Sequence, residues 1–300
     1  MTAPLLPTFF VIGVPKSGST SLYQYLDQHP GVYFSRLKEP RYFAFDGDLP
    51  TDLQGVHWLA DTWERYVELF AGADPEQVRG EASVNYLYSR GAEDRIRDRV
   101  PDARLVVILR HPADAVWSHY LMLRRGGNTT KRLEELIEEE PLEPIAPPWK
   151  REPNAVVRSR LYHRHLSRWL EVFPREQLLV LLHDDLLGDP EAVVRQTWAH
   201  VGVDPSAPLD VVERHNVGTD PRSVRLHAFT ERPRRLSRAV KVTLRHVPGR
   251  PALQAAVNRW NQRPTPPMPV GARAQLLDLY REDTLALEGM LDRDLSAWRR

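Results

Sequence analysis

The sequence predicts an α/β fold in which helices cover both faces of a central parallel sheet, and three observations carry that reading. Two unbroken apolar runs, Phe9 to Val14 and Arg104 to Leu109, are each followed by loop chemistry and then by a helical pattern. A third run, Leu178 to Leu182, sits between two further helical stretches. Strands that lack polar alternation belong in a sheet buried on both faces, and strands alternating with helices give the doubly wound arrangement.

In chain order, Phe9 to Val14 reads as a central strand and Pro15 to Thr20 as a loop. Leu22, Tyr25 and Leu26 then recur at helical spacing until Pro30 ends the helix. Arg104 to Leu109 is the second strand, and Pro112 suits the first position of a helix running to about Arg125. A helix over Leu161 to Phe173 precedes the strand Leu178 to Leu182. Another follows from about Pro190 to Val201, with Asp189 as its cap, and a final amphipathic helix spans about Arg273 to Leu291. Because the strands spread from residue 9 to residue 182 with helices between them, the expectation is one domain over residues 1–300.

Two stretches depart from that rhythm. From Leu133 to Pro153, six glutamates between 134 and 143 and five prolines between 141 and 153 describe an exposed excursion, either a tolerated surface insertion or a lid over substrate. From Arg222 to Arg250 there are nine basic residues and one acid, and Leu236, Val240, Leu244 and Val247 give part of this segment an apolar face. That segment reads either as an ordinary solvated face or as a basic helix toward an anionic acceptor or membrane surface.

Composition narrows the chemistry. With 42% hydrophobic and 27% charged residues the 300-residue chain is an ordinary globular one. Its net charge of +1 gives no general attraction to nucleic acid, so any basic site is local. The absence of cysteine excludes disulfides, thiolate metal sites and cysteine nucleophiles, and fits a reducing compartment. Phe9 to Val14 is too short to span a bilayer, and no basic segment precedes it, so neither a signal peptide nor an anchor is expected.

The chemically informative loop is Gly13-Val14-Pro15-Lys16-Ser17-Gly18-Ser19-Thr20. Between a buried strand and a helix, its backbone N–H groups and the helix dipole form an anion cradle, and Lys16 reaches a phosphate from the side. A nucleoside-triphosphatase loop has its lysine directly after the second glycine, where this chain has Ser19. It also needs a strand-end aspartate for magnesium, whereas the second strand ends in Leu109-Arg110-His111-Pro112. Arg110 lies on the sheet edge where α/β folds bind ligands and offers a planar fork to a second phosphate, with Ser118 eight residues on. His163 and His165 are not expected to ligate metal, because alternate residues on a helix diverge, and the acidic run at Asp184 and Asp185 reads as local structure.

With these motifs the chain resembles the P-loop-type sulfotransferases that use 3′-phosphoadenosine 5′-phosphosulfate (PAPS). Pro15 to Leu22 (PKSGSTSL) matches the 5′-phosphosulfate loop, and Leu109 to Tyr120 (LRHPADAVWSHY) matches the 3′-phosphate element. Lys38 to Phe43 (KEPRYF), Gly80 to Leu87 (GEASVNYL), Leu161 to Leu181 and Leu276 to Trp298 are similar to the branch of heparan sulfate N- and O-sulfotransferases and their bacterial relatives. The resemblance implies that Lys16, Ser17, Gly18, Ser19 and Thr20 hold the phosphosulfate, that Arg110 and Ser118 hold the 3′-phosphate, and that Glu39 is the general base. It further implies a cofactor-closing loop in the region of Asn216 to Leu226, with Arg222 and Ser223 as contacts, so that residues 216–250 form a basic closing loop and helix. Relatives often carry a histidine where this chain has Arg41 and a lysine where it has Ala82, departures that bear on the acceptor and not on the cofactor.

The expected reaction is sulfuryl transfer to a hydroxyl or amine of a glycan, glycolipid or natural product, yielding 3′,5′-adenosine bisphosphate (PAP). Lys16 stabilises the leaving phosphate and no metal is required. His111 is the next candidate base. A P-loop nucleotide-dependent kinase and a noncatalytic nucleotide or polyanion binder are the competing readings. No nucleic-acid partner is expected, peripheral membrane contact is open, and because Golgi relatives carry anchors this chain is expected to be a cytoplasmic bacterial enzyme.

Overall fold

The computed structural model describes residues 4–45, 60–141, 155–211, 219–221 and 262–300. Five parallel strands form one sheet in the order β2-β3-β1-β4-β5: β1 (Phe9–Gly13), β2 (Val32–Phe34), β3 (Val78–Glu81), β4 (Arg104–Leu109) and β5 (Leu178–Leu182). The apolar runs at β1, β4 and β5 are strands, as expected. Sequence reading missed β2 and β3, which are only three and four residues long, and β3 carries the charged Arg79 and Glu81 in place of an apolar run.

Strand alternation divides the core between the two faces of the sheet. Phe10, Ile12, Leu105, Val107 and Leu109 point into one cluster, and Phe9, Val11, Val106 and Ile108 into the other, all fully buried. The second cluster is closed by α1 (Ser19–Leu26) and by α8 (Pro190–Val201). The first is closed by α3 (Ala92–Arg99), by α6 (Tyr162–Val172), and by α10 (Arg281–Leu291) through Leu287. At Gly80 the packing requires glycine, since a Cβ there would lie 2.3 Å from the Phe9 ring.

Other elements complete the chain: α2 (Trp63–Glu68), α4 (Pro112–Arg125), α5 (Leu133–Glu139), α7 (His183–Gly188), the short antiparallel pair β6 (Thr219–Pro221) and β7 (Gln262–Pro264), and α9 (Val270–Leu279). Pro112 opens α4 as expected, and the Asp189 carboxylate accepts the Ala192 N–H at 3.0 Å to cap α8. The acidic pair Asp184 and Asp185 lies in the first turn of α7, where negative charge suits the helix dipole, and Asp185 also pairs with Arg293 at 3.1 Å. The expected terminal helix is two helices, α9 and α10, meeting at Tyr280.

Part of the expected excursion is a core element. Leu133 and Ile137 of α5 are buried with Val116 and Leu121 of α4 and with Leu276 of α9. The glutamates lie on the outer face, where composition alone suggests an exposed segment. Beyond it, the Glu140 carboxylate accepts the N–H groups of Val156, Val157 and Arg158 at 2.9–3.0 Å. Residues 142–154 lie outside the described residues, as do Arg222, Ser223 and the whole of the basic stretch from 222 to 250.

Candidate active site

In an open α/β sheet, ligands bind where the connections of two neighbouring strands diverge. Here β1 connects toward β2 on one side while β4 connects toward β5 on the other, so the crevice opens past their carboxyl ends. A cavity of about 1140 Å³ lies there, lined among others by Lys16, Gly18, Ser19, Thr20, Glu39, Arg110 and Ser118. Seven residues drawn from three separate motifs thus share one space.

The cradle follows from local backbone geometry. Gly18 has φ of 91°, the left-handed conformation, and immediately precedes α1, leaving the first N–H groups of that helix facing outward. A Cβ at Gly18 would come within 3.0 Å of the His183 ring, so the position also requires a small residue. Lys16 is itself at φ of 70°. Burial, then the charges of Arg125, Arg110, Arg160 and Lys38, hold the Lys16 ammonium below the usual lysine range. The Ser17 side chain is fully buried, does not line the cavity, and its Oγ has no hydrogen-bond partner among the described residues. What Ser17 can offer a ligand is therefore its backbone.

Arg110 stands at the end of β4, where its guanidinium donates to the Lys16 carbonyl at 3.2 Å and its own carbonyl accepts from the Tyr162 hydroxyl at 2.9 Å. The strand end and the cradle are thereby held in fixed relation. Ser118 lies on α4, and Arg125, two helical turns further on, lines the same cavity with its Nε donating to the Leu121 carbonyl at 3.1 Å.

The opposite wall is the segment after β2. Lys38 donates to Thr20 Oγ1 at 2.9 Å, tying this wall to the first turn of α1. Glu39 accepts from the Arg41 guanidinium at 2.5 Å, and both residues have positive φ, 58° and 57°. His111 does not line the cavity; its ring lies beside Trp298 and near Arg273, and burial lowers its proton affinity. His165 is buried with Nε2 on the Arg158 carbonyl at 2.9 Å, a core position. Among the described residues, no three histidine, aspartate or glutamate side chains gather as a metal site.

Sequence reading missed three cavity residues: His119, His183 and Arg125. His119 is almost fully buried on α4, and burial, followed by Arg160 and Lys16, holds its imidazole well below the usual range. His183 opens α7 beside Gly18 and is lowered by burial and then by Arg110. On sequence alone these side chains are indistinguishable from helix packing residues.

A parallel sheet with an N-terminal glycine and lysine cradle, facing a strand-end arginine across one crevice, defines a P-loop-type enzyme for an anionic cofactor. Residues 92–207 match the sulfotransferase family. The bifunctional heparan sulfate N-deacetylase/N-sulfotransferase 4 of Mus musculus is 30% identical over 213 residues, which is 68% of this chain and 23% of that protein. The heparan sulfate glucosamine 3-O-sulfotransferase 6 of the same species is 26% identical over 197 residues, 66% of this chain and 52% of that protein. The crystal structure of a sulfotransferase from Alicyclobacillus acidocaldarius superposes with a TM-score of 0.69 at 28% identity, covering 99% of this chain and all of that one. By these matches the chain is similar to sulfotransferases. It spans about a quarter to a half of the length of these curated relatives.

Proposed function

We propose that this enzyme transfers a sulfuryl group from PAPS to a hydroxyl or amine of an acceptor, a sugar or other small molecule, and releases PAP. The observation that carries the reading is the convergence of Lys16, Thr20, Glu39, Arg110 and Ser118 on one cavity of about 1140 Å³. That volume exceeds the roughly 300–1000 Å³ typical of a single-ligand pocket, leaving room for a nucleotide and an acceptor side by side.

The residues present fit such a cofactor. The loop is too close to His183 to admit a Cβ at Gly18, and Lys16 is crowded by four other cations. A polyanion relieves that crowding. PAPS supplies an activated sulfuryl group on a phosphate leaving oxygen. Lys16 and the loop N–H groups neutralise charge at that oxygen, and Arg110 with Ser118 anchors the second phosphate. Glu39, on the facing wall, accepts the proton that the acceptor loses. Arg222 and Ser223 would add contacts from a segment outside the described residues. The names of the relatives support an amino or hydroxyl group on a glycan as the acceptor class.

Two measurements test this reading. PAP should bind tightly and ATP weakly in calorimetry, and incubation with PAPS and an acceptor library should yield products heavier by one sulfo group. Tight ATP binding with no effect of PAP would replace this reading with a kinase, and polyanion binding indifferent to both nucleotides would replace it with a noncatalytic binder.

A further inference from the structure

β3 ends on Glu81, whose side chain is completely buried although the chemistry proposed above makes no use of it. Its Oε2 accepts hydrogen bonds from the hydroxyls of Tyr66 and Tyr86, each at 2.9 Å. Its Oε1 is also buried and has no hydrogen-bond partner among the described residues. A buried carboxyl oxygen left without a partner is expensive, so a fold that keeps one points to a use for the group.

The contacts that radiate from this carboxyl end on the segment carrying Glu39. The Tyr86 hydroxyl accepts the Phe43 N–H at 3.2 Å, and the hydroxyl of Ser83, two residues along from Glu81, accepts the Arg41 N–H at 3.0 Å. Tyr42 stacks on Tyr66 at 4.9 Å, and Phe43 packs edge-on against both Tyr66 and Tyr86. Glu39 and Arg41 sit in left-handed backbone conformations, which non-glycine residues keep only where their surroundings over-determine them. Here the surroundings are the cluster around Glu81.

We propose that Glu81 is a positioning residue that, through Tyr86, Tyr66 and the neighbouring Ser83, holds residues 39–43 in the conformation that presents Glu39 to the cavity, and that its charge state sets how firmly they are held. Burial, reinforced by the charge of Glu39, pushes its carboxyl up to about 7, while the hydroxyls of Ser83, Tyr66 and Tyr86 oppose the rise. The group therefore changes charge within the neutral range. Below that value a neutral carboxyl lies behind Glu39. Above it the carboxylate strengthens its interactions with the hydroxyls of Ser83, Tyr66 and Tyr86, which makes the Ser83 and Tyr86 oxygens better acceptors for the Arg41 and Phe43 N–H groups and outweighs the repulsion from Glu39.

The functional consequence rests on Glu39 being the base, but the test does not. Amide hydrogen exchange of Arg41 and Phe43, corrected for the intrinsic dependence on pH, should slow about five- to tenfold as pH rises through 7 in the native protein, with residues 14–20 unchanged. Glu81→Gln keeps the shape without the titration and should hold both amides at the fast level across that range, while Ser83→Ala should speed Arg41 at every pH and leave the Phe43 step in place. An unaltered step in Glu81→Gln, or slowing spread equally over residues 14–20, overturns the proposal. Should Glu81→Gln fail to fold, carbon-13 detection of the Glu81 carboxyl in the native protein decides: its titration must coincide with shifts of the Arg41 and Phe43 amides, and independent titration refutes the coupling. Retained turnover in Glu39→Gln would remove the base and leave this brace intact.

Discussion

The two walls of the cavity are built on opposite electrostatic plans. The wall made by the β1 loop and the end of β4 sets Lys16 and Arg110 close to Arg125 of α4 and to the buried Arg160, and burial, followed by the charges of these cations, drives the Lys16 ammonium below its ordinary range. The wall made by residues 38–43 is self-compensated, with Glu39 on Arg41 and Lys38 on Thr20. A wall of concentrated positive charge is poised for a polyanion. A carboxylate already oriented by an arginine is poised to handle a neutral group and a proton. Cofactor affinity should therefore depend on the first wall and turnover on the second.

Glu39→Gln gives the largest expected effect and the sharpest way to break that division. Turnover from PAPS should fall by roughly 10² to 10⁴ while PAP affinity stays within a few-fold. Initial rates and calorimetry on the same preparation provide the check, and a comparable loss of PAP affinity would mean that the two walls are not separable. Arg110→Ala comes next. PAP should weaken by roughly 2 to 4 kcal/mol, and adenosine 5′-monophosphate, which lacks the 3′-phosphate, by much less. Equal losses would assign Arg110 to the 5′ end or to the Lys16 carbonyl it holds.

A smaller effect comes from alkaline pH. Because the folded protein lowers Lys16, its ammonium deprotonates at a lower pH than free lysine. PAP affinity should then decline several-fold as pH rises toward the lysine range, with proton uptake on binding visible as a buffer-dependent enthalpy. Lys16→Arg should move that decline upward, since arginine keeps its charge. At the bottom of the scale is a chelator. If the cations of the cradle suffice for the transferred group, excess EDTA should leave activity unchanged, whereas loss restored by magnesium would point to phosphoryl chemistry.

How much of this was legible in the sequence depended on the physical signal each part leaves. Strands β1, β4 and β5 are buried on both faces and therefore spell apolar runs. β2 and β3 are too short for one, and Glu81 in β3 looks like a solvent-facing charge while being completely buried. Helix α5 was hidden by its glutamates, although Leu133 and Ile137 supply a helical stripe. The cradle was readable because glycine and lysine at those positions have few other uses. Glu39 came only through resemblance: an acidic residue before a proline carries no local signal, and the left-handed backbone at Glu39 and Arg41 is imposed by tertiary contacts. Arg125, His119 and His183 reach the cavity from helices whose rotation no sequence pattern specifies.

Arg160 carries a consequence of another kind. Its guanidinium is fully buried, and among the described residues its hydrogen bonds run to neutral oxygens alone: the carbonyls of Pro15, Ala115 and Ala155, and the Ser159 hydroxyl. A permanent charge is thus sealed beneath the β1 loop, and the polypeptide bears its desolvation whenever it folds empty. Folding and ligand capture are then linked quantities. Each tenfold rise in free nucleotide above its dissociation constant adds about 1.4 kcal/mol to the native state, so the lifetime of the protein against heat and proteolysis becomes a gauge of how much nucleotide surrounds it.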